Sequence, residues 1–288
     1  MRIVEAPAKV RTAVLLTHSD PAGIAAATVV AAEVAKRVGV ELVSTSEELG
    51  RRDEADGVKT VEELPADPDL CLVLGGDGTI LRGLRLFAGT EVPVFGINFG
   101  TVGFLAAAEP SELAESLECA FAGEFEVMEL PALELGEGGS GKLGLNDVSF
   151  LRQPHRRVAE LSYLVSGQEV GNVRCDGLVA ATPAGSTGYN LANQGPILAW
   201  GVEGYALSFV APHTFTARPL VVAPDDVLQV RNAGRDSVDI AIDGQPAGEL
   251  EPEAEAEVSF RDGVGRLAQL PGSSFYRRVR EKFGRLAR

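Results

Sequence analysis

The segment Leu70–Gly76, LCLVLGG, constrains the fold more strongly than composition does. Five consecutive apolar residues end directly in two glycines. An apolar run without alternation indicates a strand buried on both faces, as in a parallel sheet covered by helices. Two further strand-like runs, VRTAVLLTH and VPVFGINFG, alternate with helical patterns at Pro21–Val38, Thr79–Phe87 and Pro110–Ala122. Residues 1–124 are therefore predicted to form an α/β domain with a parallel, Rossmann-like sheet.

After residue 124 the pattern changes to short segments bounded by Gly, Asn, Asp or Pro. These segments read FEVMELPALEL, KLGLNDVSFL, VAELSYLVSG, QEVGNVR, DGLVAAT, YALSFVA, LVVAP, VLQVRN, SVDIAID and EAEVSFR. Such spacing is typical of an all-β domain, which is predicted here for residues 125–265. Residues 266–288 are predicted to form a C-terminal extension that packs on the first domain. The residues of this extension that have helical spacing, and are expected to face the protein, are Tyr276, Val279, Phe283 and Leu286.

The charge of the chain argues against some classes of partner. The 288 residues carry a formal net charge of −15, which is unfavourable for binding nucleic acid or an anionic membrane surface. The basic tail FYRRVREKFGRLAR is the exception, and a lipid- or RNA-binding tail is the alternative to a docked helix. No apolar run is long enough to span a bilayer, and the N-terminus lacks an apolar core of signal-peptide length, so the cytoplasm is the expected compartment.

Two features suggest chemistry that the rest of the pattern does not support. Cys71, Cys119 and Cys175 are far apart and form no CxxC pair, so neither a disulfide framework nor a zinc cluster is indicated. The segment Gly136–Leu143, GEGGSGKL, fits the first seven positions of a P-loop. Leu143 replaces the Ser or Thr that would hold magnesium, and the segment lies between two strand-like runs. A hairpin turn is predicted there.

The turn Gly75–Thr79, GGDGT, carries the strongest chemical indication. A tight strand-to-helix turn capped by Asp77 or Thr79 would explain part of it. The flanking glycines also let a polyphosphate approach the backbone amides at a helix N-terminus. A carboxylate at that place repels phosphate, so it needs another purpose. It can take a proton from an attacking hydroxyl, or help to hold a metal ion.

Five later motifs follow this turn in a fixed order: GINFGTVGFL, NDVSF, RCDGLVAATPAGSTGYNLANQGPIL, APHTFTARPLVV and IDGQ. Glycine–aspartate turns also occur in phosphofructokinases and in diacylglycerol and sphingosine kinases. The whole series, from about Leu70 to Gln245, resembles the NAD kinase family. The resemblance implies an enzyme that transfers the γ-phosphoryl group of ATP to the 2′-hydroxyl of the adenosine ribose of NAD, giving NADP.

The resemblance also assigns residues around the turn. Asp77 matches the family's general base, over which the adenosine ribose is expected to lie. Gly78 and Arg82 match positions near NAD and phosphate. The residues expected to seat the ATP phosphates, together with Mg²⁺ or another divalent cation, are Gly75, Gly76, Gly78 and Thr79. No residue is assigned as a metal ligand.

A second group of residues matches positions that hold NAD. Asn146 and Asp147 match an asparagine–acid pair that grips the NAD ribose, for which an amide and a carboxylate are suitable partners. The other matching residues are Arg157, Arg174, Asp176, Thr187, Gly188, Tyr189, Asn190, Leu191, Ala192, Ala211 and Gln245. The family commonly reads TPTGSTAY where this chain has TPAGSTGY, so Ala184 and Gly188 depart from the pattern.

Two other functions remain open at this point. A lipid or sugar kinase can use the same glycine–aspartate turn, and an NAD sensor can keep the fold without turnover. The expected partners are NAD and ATP, with no nucleic acid and no membrane. The resemblance further implies a homodimer or homotetramer, in which the β domains form part of the contact.

Overall fold

A computed structural model describes residues 3–4, 6–7, 9–18, 21–50, 57–100, 103–136 and 141–284. The chain forms two compact units. The α/β unit comprises Arg2–Glu129 together with Gly265–Arg288, and the β unit comprises Leu130–Val264. No helix in the described ranges is long and apolar enough to cross a membrane.

The helices of the described ranges are α1 (Pro21–Val38), α2 (Ser46–Leu49), α3 (Asp77–Leu86), α4 (Leu113–Ala122), α5 (Tyr189–Ala192) and α6 (Phe275–Phe283). The first nine strands are β1 (Ile3–Val4), β2 (Thr12–Thr17), β3 (Glu41–Thr45), β4 (Lys59–Val61), β5 (Leu70–Gly75), β6 (Val94–Asn98), β7 (Glu126–Leu135), β8 (Lys142–Gly144) and β9 (Asp147–Arg152). The later strands are β10 (Ala159–Val165), β11 (Gln168–Cys175), β12 (Gly177–Ala181), β13 (Tyr205–Val210), β14 (Leu220–Val222), β15 (Leu228–Asn232), β16 (Val238–Ile242), β17 (Gln245–Leu250) and β18 (Glu255–Gln269). Short 3-10 turns occur at Pro110–Glu112 and Gly185–Thr187.

Six strands of the α/β unit pair in parallel, as predicted. They lie in the order β18–β6–β5–β2–β3–β4, and β18 joins through Leu267, which pairs with Val94. At the side of this sheet β1 pairs antiparallel with β7. In β5, the alternate residues Leu70, Leu72 and Leu74 pack in one core with α1 and α4. Cys71 and Val73 face α3 on the other side, where Gly83 approaches them closely. The strand is therefore apolar at every position because both of its faces are covered.

The β unit consists of two antiparallel sheets packed face to face. One sheet has the order β14–β13–β12–β9–β16–β17, and the other contains β11, β10, β15 and the first part of β18. Phe150 of the first sheet and Leu161 and Val230 of the second are buried in one core. The rings of Tyr163 and Phe209 meet there with centroids 5.4 Å apart. This arrangement confirms an all-β fold for that part of the chain.

The segment resembling a P-loop is a hairpin connection, as predicted. β7 and β8 pair antiparallel on either side of it, with Leu135 opposite Lys142. Residues 137–140 lie outside the described residues. No helix follows, so the segment lacks the strand-to-helix geometry that a P-loop needs.

Several strands differ from the sequence prediction. β1, β3, β4 and β17 were not predicted, and EAEVSFR is only the first part of the much longer β18. The C-terminal segment returns to the α/β unit, as predicted, and α6 is helical. The predicted inward face of α6 is wrong at Tyr276, which is 72% exposed. Val279 and Phe283 are half-buried, and Leu286 lies outside the described residues.

Candidate functional site

The turn after β5 lies at the C-terminal edge of the parallel sheet, because Gly75 is in register with Asn98 at the end of β6. The Gly76 carbonyl accepts the N–H groups of Thr79 and Ile80 and so begins α3. The first N–H groups of a helix, here those of Asp77 and Gly78, have no carbonyl partner within it. They leave a partial positive charge at the edge where ligands of such sheets bind.

Space explains one of the three glycines in this turn. A Cβ on Gly75 would come 2.6 Å from Oγ1 of Thr79, whereas a Cβ on Gly76 would come 3.4 Å from Cα of Gly100, which is an ordinary van der Waals contact. A Cβ on Gly78 would meet no atom of the described residues within 4 Å. Gly78 is exposed, so packing against those residues does not require a glycine there. Close approach of a ligand to the backbone is a physical reason for it.

Asp77 is held in a fixed orientation beside this exposed backbone. The N–H of Phe104 donates to Oδ2 of Asp77 at 2.8 Å, and the N–H of Leu105 donates to Oδ1 at 3.0 Å. Burial raises the pKa of Asp77, and the two N–H donors and the charges of Arg278 and Lys282 oppose that rise. The result is a partly desolvated carboxylate at a helix N-terminus, which is the environment of a proton acceptor.

Arg82 lies one turn further along α3 and is bound within the protein. Its guanidinium donates to both carboxylate oxygens of Glu48, at 2.8 Å to Oε2, and to the carbonyl of Thr17 at 3.0 Å. The Glu48 side chain is mostly buried. In this structure Arg82 therefore ties α3 to the short helix α2, and its contact with NAD stays a prediction.

In the β unit, Asn146 and Asp147 stand at the start of β9 and are oriented by Asp243. The Asp243 carboxylate accepts the backbone N–H groups of Leu145, Asn146 and Asp147, at 3.1, 2.6 and 3.1 Å. Asp243 occupies the left-handed region, with φ 48°, and precedes Gly244 in the two-residue turn between β16 and β17. An Asp-Gly turn of this kind is favoured in tight hairpins. Gln245 begins the strand that follows.

Asp147 and Asn146 both place polar groups in a buried environment. Burial and the neighbouring charge of Asp243 raise the pKa of Asp147 to about 7. The side-chain Oδ1 of Asn146 is buried and accepts no hydrogen bond from the described residues. A buried acceptor without a partner is costly, so it marks a place where a ligand donor would be favourable.

The turn TPAGSTG is built on the backbone of Asn146. Thr182 donates its N–H to the Asn146 carbonyl at 2.8 Å and its hydroxyl to the Leu145 carbonyl at 2.6 Å. A Cβ on Gly185 would lie 2.0 Å from the Asn146 carbonyl oxygen, so only glycine fits this contact. The buried Ala184 and the exposed Gly188, which depart from the family pattern, both lie within this turn.

The segment Thr187–Ala192 contains both structural and accessible residues. Asn190 is buried, and its Nδ2 donates to the carbonyls of Ser186 and Pro196 at 3.0 Å each. Tyr189 is 37% exposed, and burial together with the charges of Asp147 and Asp176 raises its pKa. The phenol therefore lies near both acids. Thr187 and Leu191 are half-buried, while Gly188 and Ala192 are exposed.

Arg157, Arg174 and Asp176 are brought together by the fold. They line a cavity of about 560 Å³ together with Arg152 and His213. Nε of Arg152 donates to Oδ1 of Asp176 at 2.6 Å. Ala211, with φ 43°, follows β13 at the point where Asp176 donates its N–H to the Val210 carbonyl. The cavity combines several cationic groups, which suits an anionic ligand.

Sequence reasoning missed the residues that hold the two acids in place. Asp243 stands within IDGQ, where an Asp-Gly turn was visible but its link to Asn146, 97 positions away, was not. Phe104 and Leu105 stand within GINFGTVGFL but act through backbone N–H groups, which leave no mark on side-chain identity. Arg278 is one of several basic residues in the tail, and nothing in the sequence distinguishes it.

Family comparisons agree with the motif order. The model of the ATP-NAD kinase N-terminal domain matches residues 9–125, and that of the ATP-NAD kinase C-terminal domain matches residues 145–267. The NAD kinase of Citrifermentans bemidjiense is 35% identical over 244 residues, which are 82% of this chain and 84% of the relative. The NAD kinase of Methanothermobacter thermautotrophicus is 33% identical over 264 residues, which are 88% and 91% of the two chains.

Two solved structures have the same fold. An NAD kinase from Archaeoglobus fulgidus in complex with ATP has a TM-score of 0.73 at 26% identity, covering 96% of this chain and 98% of that one. Yeast NADH kinase complexed with NADH has a TM-score of 0.84 at 21% identity, covering 98% and 93%, which shows the fold alone. Both domain models match, and the relatives align over most of the chain. The chain therefore belongs to the NAD kinase family.

Proposed function

We propose that this protein transfers the γ-phosphoryl group of ATP to the 2′-hydroxyl of the adenosine ribose of NAD, with Asp77 as the general base. The observation that carries the proposal is the geometry of the turn after β5. A carboxylate fixed by two backbone N–H groups stands next to the exposed Gly78 at a helix N-terminus. The names of the relatives, and the ATP bound to the Archaeoglobus fulgidus enzyme, support the same reaction.

The reaction requires little covalent chemistry from the protein. Asp77 accepts the proton of the 2′-hydroxyl while that oxygen forms a bond to the γ-phosphorus. The bond from the γ-phosphorus to the bridging oxygen breaks, and ADP leaves. Positioning and neutralisation of charge dominate such transfers. We assign the phosphates to the backbone of Gly75, Gly76, Gly78 and Thr79.

A divalent cation, Mg²⁺ by preference, is part of this proposal. The described residues contain no group of three or more His, Cys, Asp or Glu side chains that could hold a metal ion. Mg²⁺ is usually bound by one or two carboxylates plus the substrate phosphates rather than by an all-protein cage. The single carboxylate at this turn, that of Asp77, fits an ion that arrives with ATP. When bound, the ion neutralises charge on the phosphates.

We assign NAD binding to the residues gathered in the β unit. The Oδ1 of Asn146, which has no hydrogen-bond partner among the described residues, and the buried carboxyl of Asp147 suit the two hydroxyls of a ribose. The exposed face of Tyr189 offers a wall for an aromatic ring. Arg157 and Arg174 line the cavity that also contains Asp176 and His213, and their guanidinium groups suit phosphate oxygens. The cytoplasm and a homodimer or homotetramer remain the predicted compartment and assembly.

The test is a direct assay with a matched variant. Purified protein is incubated with ATP, Mg²⁺ and NAD, and NADP is detected with an NADP-specific dehydrogenase. We expect wild type to form NADP, and Asp77→Asn to lose at least about a hundredfold in kcat because a placed base typically contributes that much. Asp67→Asn, an exposed acid of the same unit, serves as the control and should remain active.

Each other outcome points to a different function. Full activity of a folded Asp77→Asn would contradict the role of Asp77 as base. Thermal stabilisation by NAD without NADP, also with NADH and polyphosphate tried, would indicate a sensor. Phosphorylation of a lipid or sugar without any response to NAD would indicate another kinase.

A further inference from the structure

The C-terminal helix α6 contacts the segment that holds Asp77. Nη1 of Arg278 donates to the carbonyl of Phe104 at 3.0 Å and also to the carbonyl of Ala106. Nε2 of Gln269 donates to the carbonyl of Leu105, between them, at 2.8 Å. Three successive carbonyl groups therefore accept hydrogen bonds from the C-terminal part of the chain.

The same segment holds the acid from its other side. The N–H groups of Phe104 and Leu105 are the two donors to the Asp77 carboxylate. The ring of Phe104 stacks on that of Phe283 in α6, with centroids 5.5 Å apart. Residues 104–106 thus form a link that touches Asp77 through N–H groups and α6 through carbonyls and one ring.

Arg278 is itself fixed in place. Its Nη2 donates to Oγ of Ser273 at 2.8 Å and to the side-chain oxygen of Gln269. Gln269 is 1% exposed and ends β18, so the guanidinium rests on a rigid strand. A planar guanidinium with several fixed donors can hold two carbonyls and two side chains at once, which an ammonium group cannot do.

We propose that Arg278 is a positioning residue for Asp77: by holding residues 104–106, it keeps the N–H groups of Phe104 and Leu105 aimed at the carboxylate. The proposal rests on the proposed role of Asp77 as general base. Under this proposal, the basic tail acts through contacts within the α/β unit and not by binding a lipid or RNA. Small displacements of a reacting group lower rates steeply, so the effect should fall on kcat.

The first experiment compares kcat and KM in Arg278→Met, Arg278→Lys and Arg280→Ala. Arg278→Met should lower kcat about tenfold to a hundredfold, with KM for NAD and ATP within about threefold of wild type. Arg278→Lys keeps one charged donor and should lose less. Arg280 is exposed on the same helix, and its replacement should change neither constant. An unchanged kcat in folded Arg278→Met would overturn the proposal.

A double variant tests whether Arg278 acts through Asp77. In an Asp77→Asn background, Arg278→Met should reduce the residual rate by less than about twofold, because the group it positions is already gone. A further loss as large as in wild type would mean an independent action and would overturn the proposal. If Arg278→Met fails to fold, Gln269→Leu removes the neighbouring donor to Leu105 and an acceptor of Arg278, and the same comparisons apply.

Amide hydrogen exchange separates this proposal from the proposed function. Exchange at Phe104 and Leu105 should be at least about tenfold faster in Arg278→Met and unchanged in Arg280→Ala. This readout needs no turnover. A wild type that forms no NADP would contradict the proposed function alone, whereas unaltered exchange in Arg278→Met would overturn the role of Arg278 in either case.

Discussion

In the β unit, the pKa of the Asp147 carboxyl is set by its neighbours. Asp243 accepts three backbone N–H groups, which stabilise negative charge on it. Asp147 is 7% exposed, and burial and the charge of Asp243 raise its pKa to about 7. An ordinary aspartate in the unfolded chain has a pKa of about 4. Between about pH 4 and 7, the Asp147 carboxyl therefore binds a larger fraction of a proton in the folded protein than in the unfolded chain.

The sign of the pH dependence follows from this difference. Stability supplied by protonated Asp147 is present below about pH 4 and is lost as the pH rises through 7. Asp147→Asn should therefore have a free energy of unfolding about 2–4 kcal/mol above wild type at pH 8, since one pKa unit equals about 1.4 kcal/mol. The gap should close as the pH falls towards 4. Urea unfolding between pH 4 and 8 measures this difference in the free energy of unfolding, and the exposed Asp225→Asn serves as the control. A difference that does not vary with pH would contradict the raised pKa of Asp147.

Two glycines should respond in opposite ways to the same substitution. Gly185→Ala places a methyl group 2.0 Å from the Asn146 carbonyl and should lower the free energy of unfolding by about 1–3 kcal/mol. Gly78→Ala adds a methyl group that meets none of the described residues in the first turn of α3, and it should stabilise the protein by up to about 1 kcal/mol. Its KM for ATP should rise, because the methyl group occupies the place proposed for phosphate. Thermal unfolding measures the two changes in stability, and steady-state kinetics measures the KM for ATP. An unchanged KM in Gly78→Ala would contradict the proposed position of the phosphates.

Among the elements, the strands predictable from the sequence are those whose burial is uniform or alternating. β5 is apolar throughout because both of its faces are covered, and the sequence shows it directly. β17, QPAGEL, is mostly exposed and contains Pro and Gly, so its strand character depends on pairing with β16. β18 runs through Asp262 and Gly263, which are typical of a turn. The strand continues there because it pairs with segments far away in the sequence. The contact of Asp243 with Asn146 likewise joins residues that are far apart in the sequence.

Two arginines of β18 form ion pairs with β7 that differ in burial. Arg266 and Glu129 have side chains 10% and 9% exposed, whereas Arg261 and Glu134 are 56% and 26% exposed. Arg266→Ala leaves the buried Glu129 without this cation and should lower the free energy of unfolding by about 3–5 kcal/mol. Arg261→Ala, the matched control, should lower it by less than about 1 kcal/mol. Denaturant unfolding measures the free energy of unfolding of both variants. Equal losses in the two variants would contradict the conclusion that burial determines the contribution of the ion pair.

At the scale of the whole molecule, the α/β unit is discontinuous in sequence. Its first part ends at Glu129, and Gly265–Arg288 completes it after the entire β unit. The later part supplies Leu267 beside Val94 of β6, and the contacts of Gln269 and Arg278 with residues 104–106. The predicted boundary at residue 124 and the predicted extension from residue 266 come from sequence patterns, and such patterns do not reveal that β18 continues from one unit into the other.

A fragment of residues 1–129 should therefore be incomplete. We expect its amides in β6 and at Phe104 and Leu105 to exchange faster than in the full chain, because Leu267, Gln269 and Arg278, which contact these segments, are missing. A synthetic peptide of residues 265–288 added to the fragment should restore part of the protection, and a peptide of scrambled order should not. Hydrogen exchange followed by NMR measures this. Equal protection in the fragment alone would show that the later segment is dispensable.

The discontinuity also sets an order of events during protein synthesis. When the ribosome has produced the Asp77 turn and the strands around it, the residues that fix Phe104–Ala106 have not yet been translated. They emerge only after all of Leu130–Val264 has been made. We therefore expect the acid of a nascent chain to lack this support until Arg278 has left the ribosome, so that partly made chains are less active than chains in which this segment has docked.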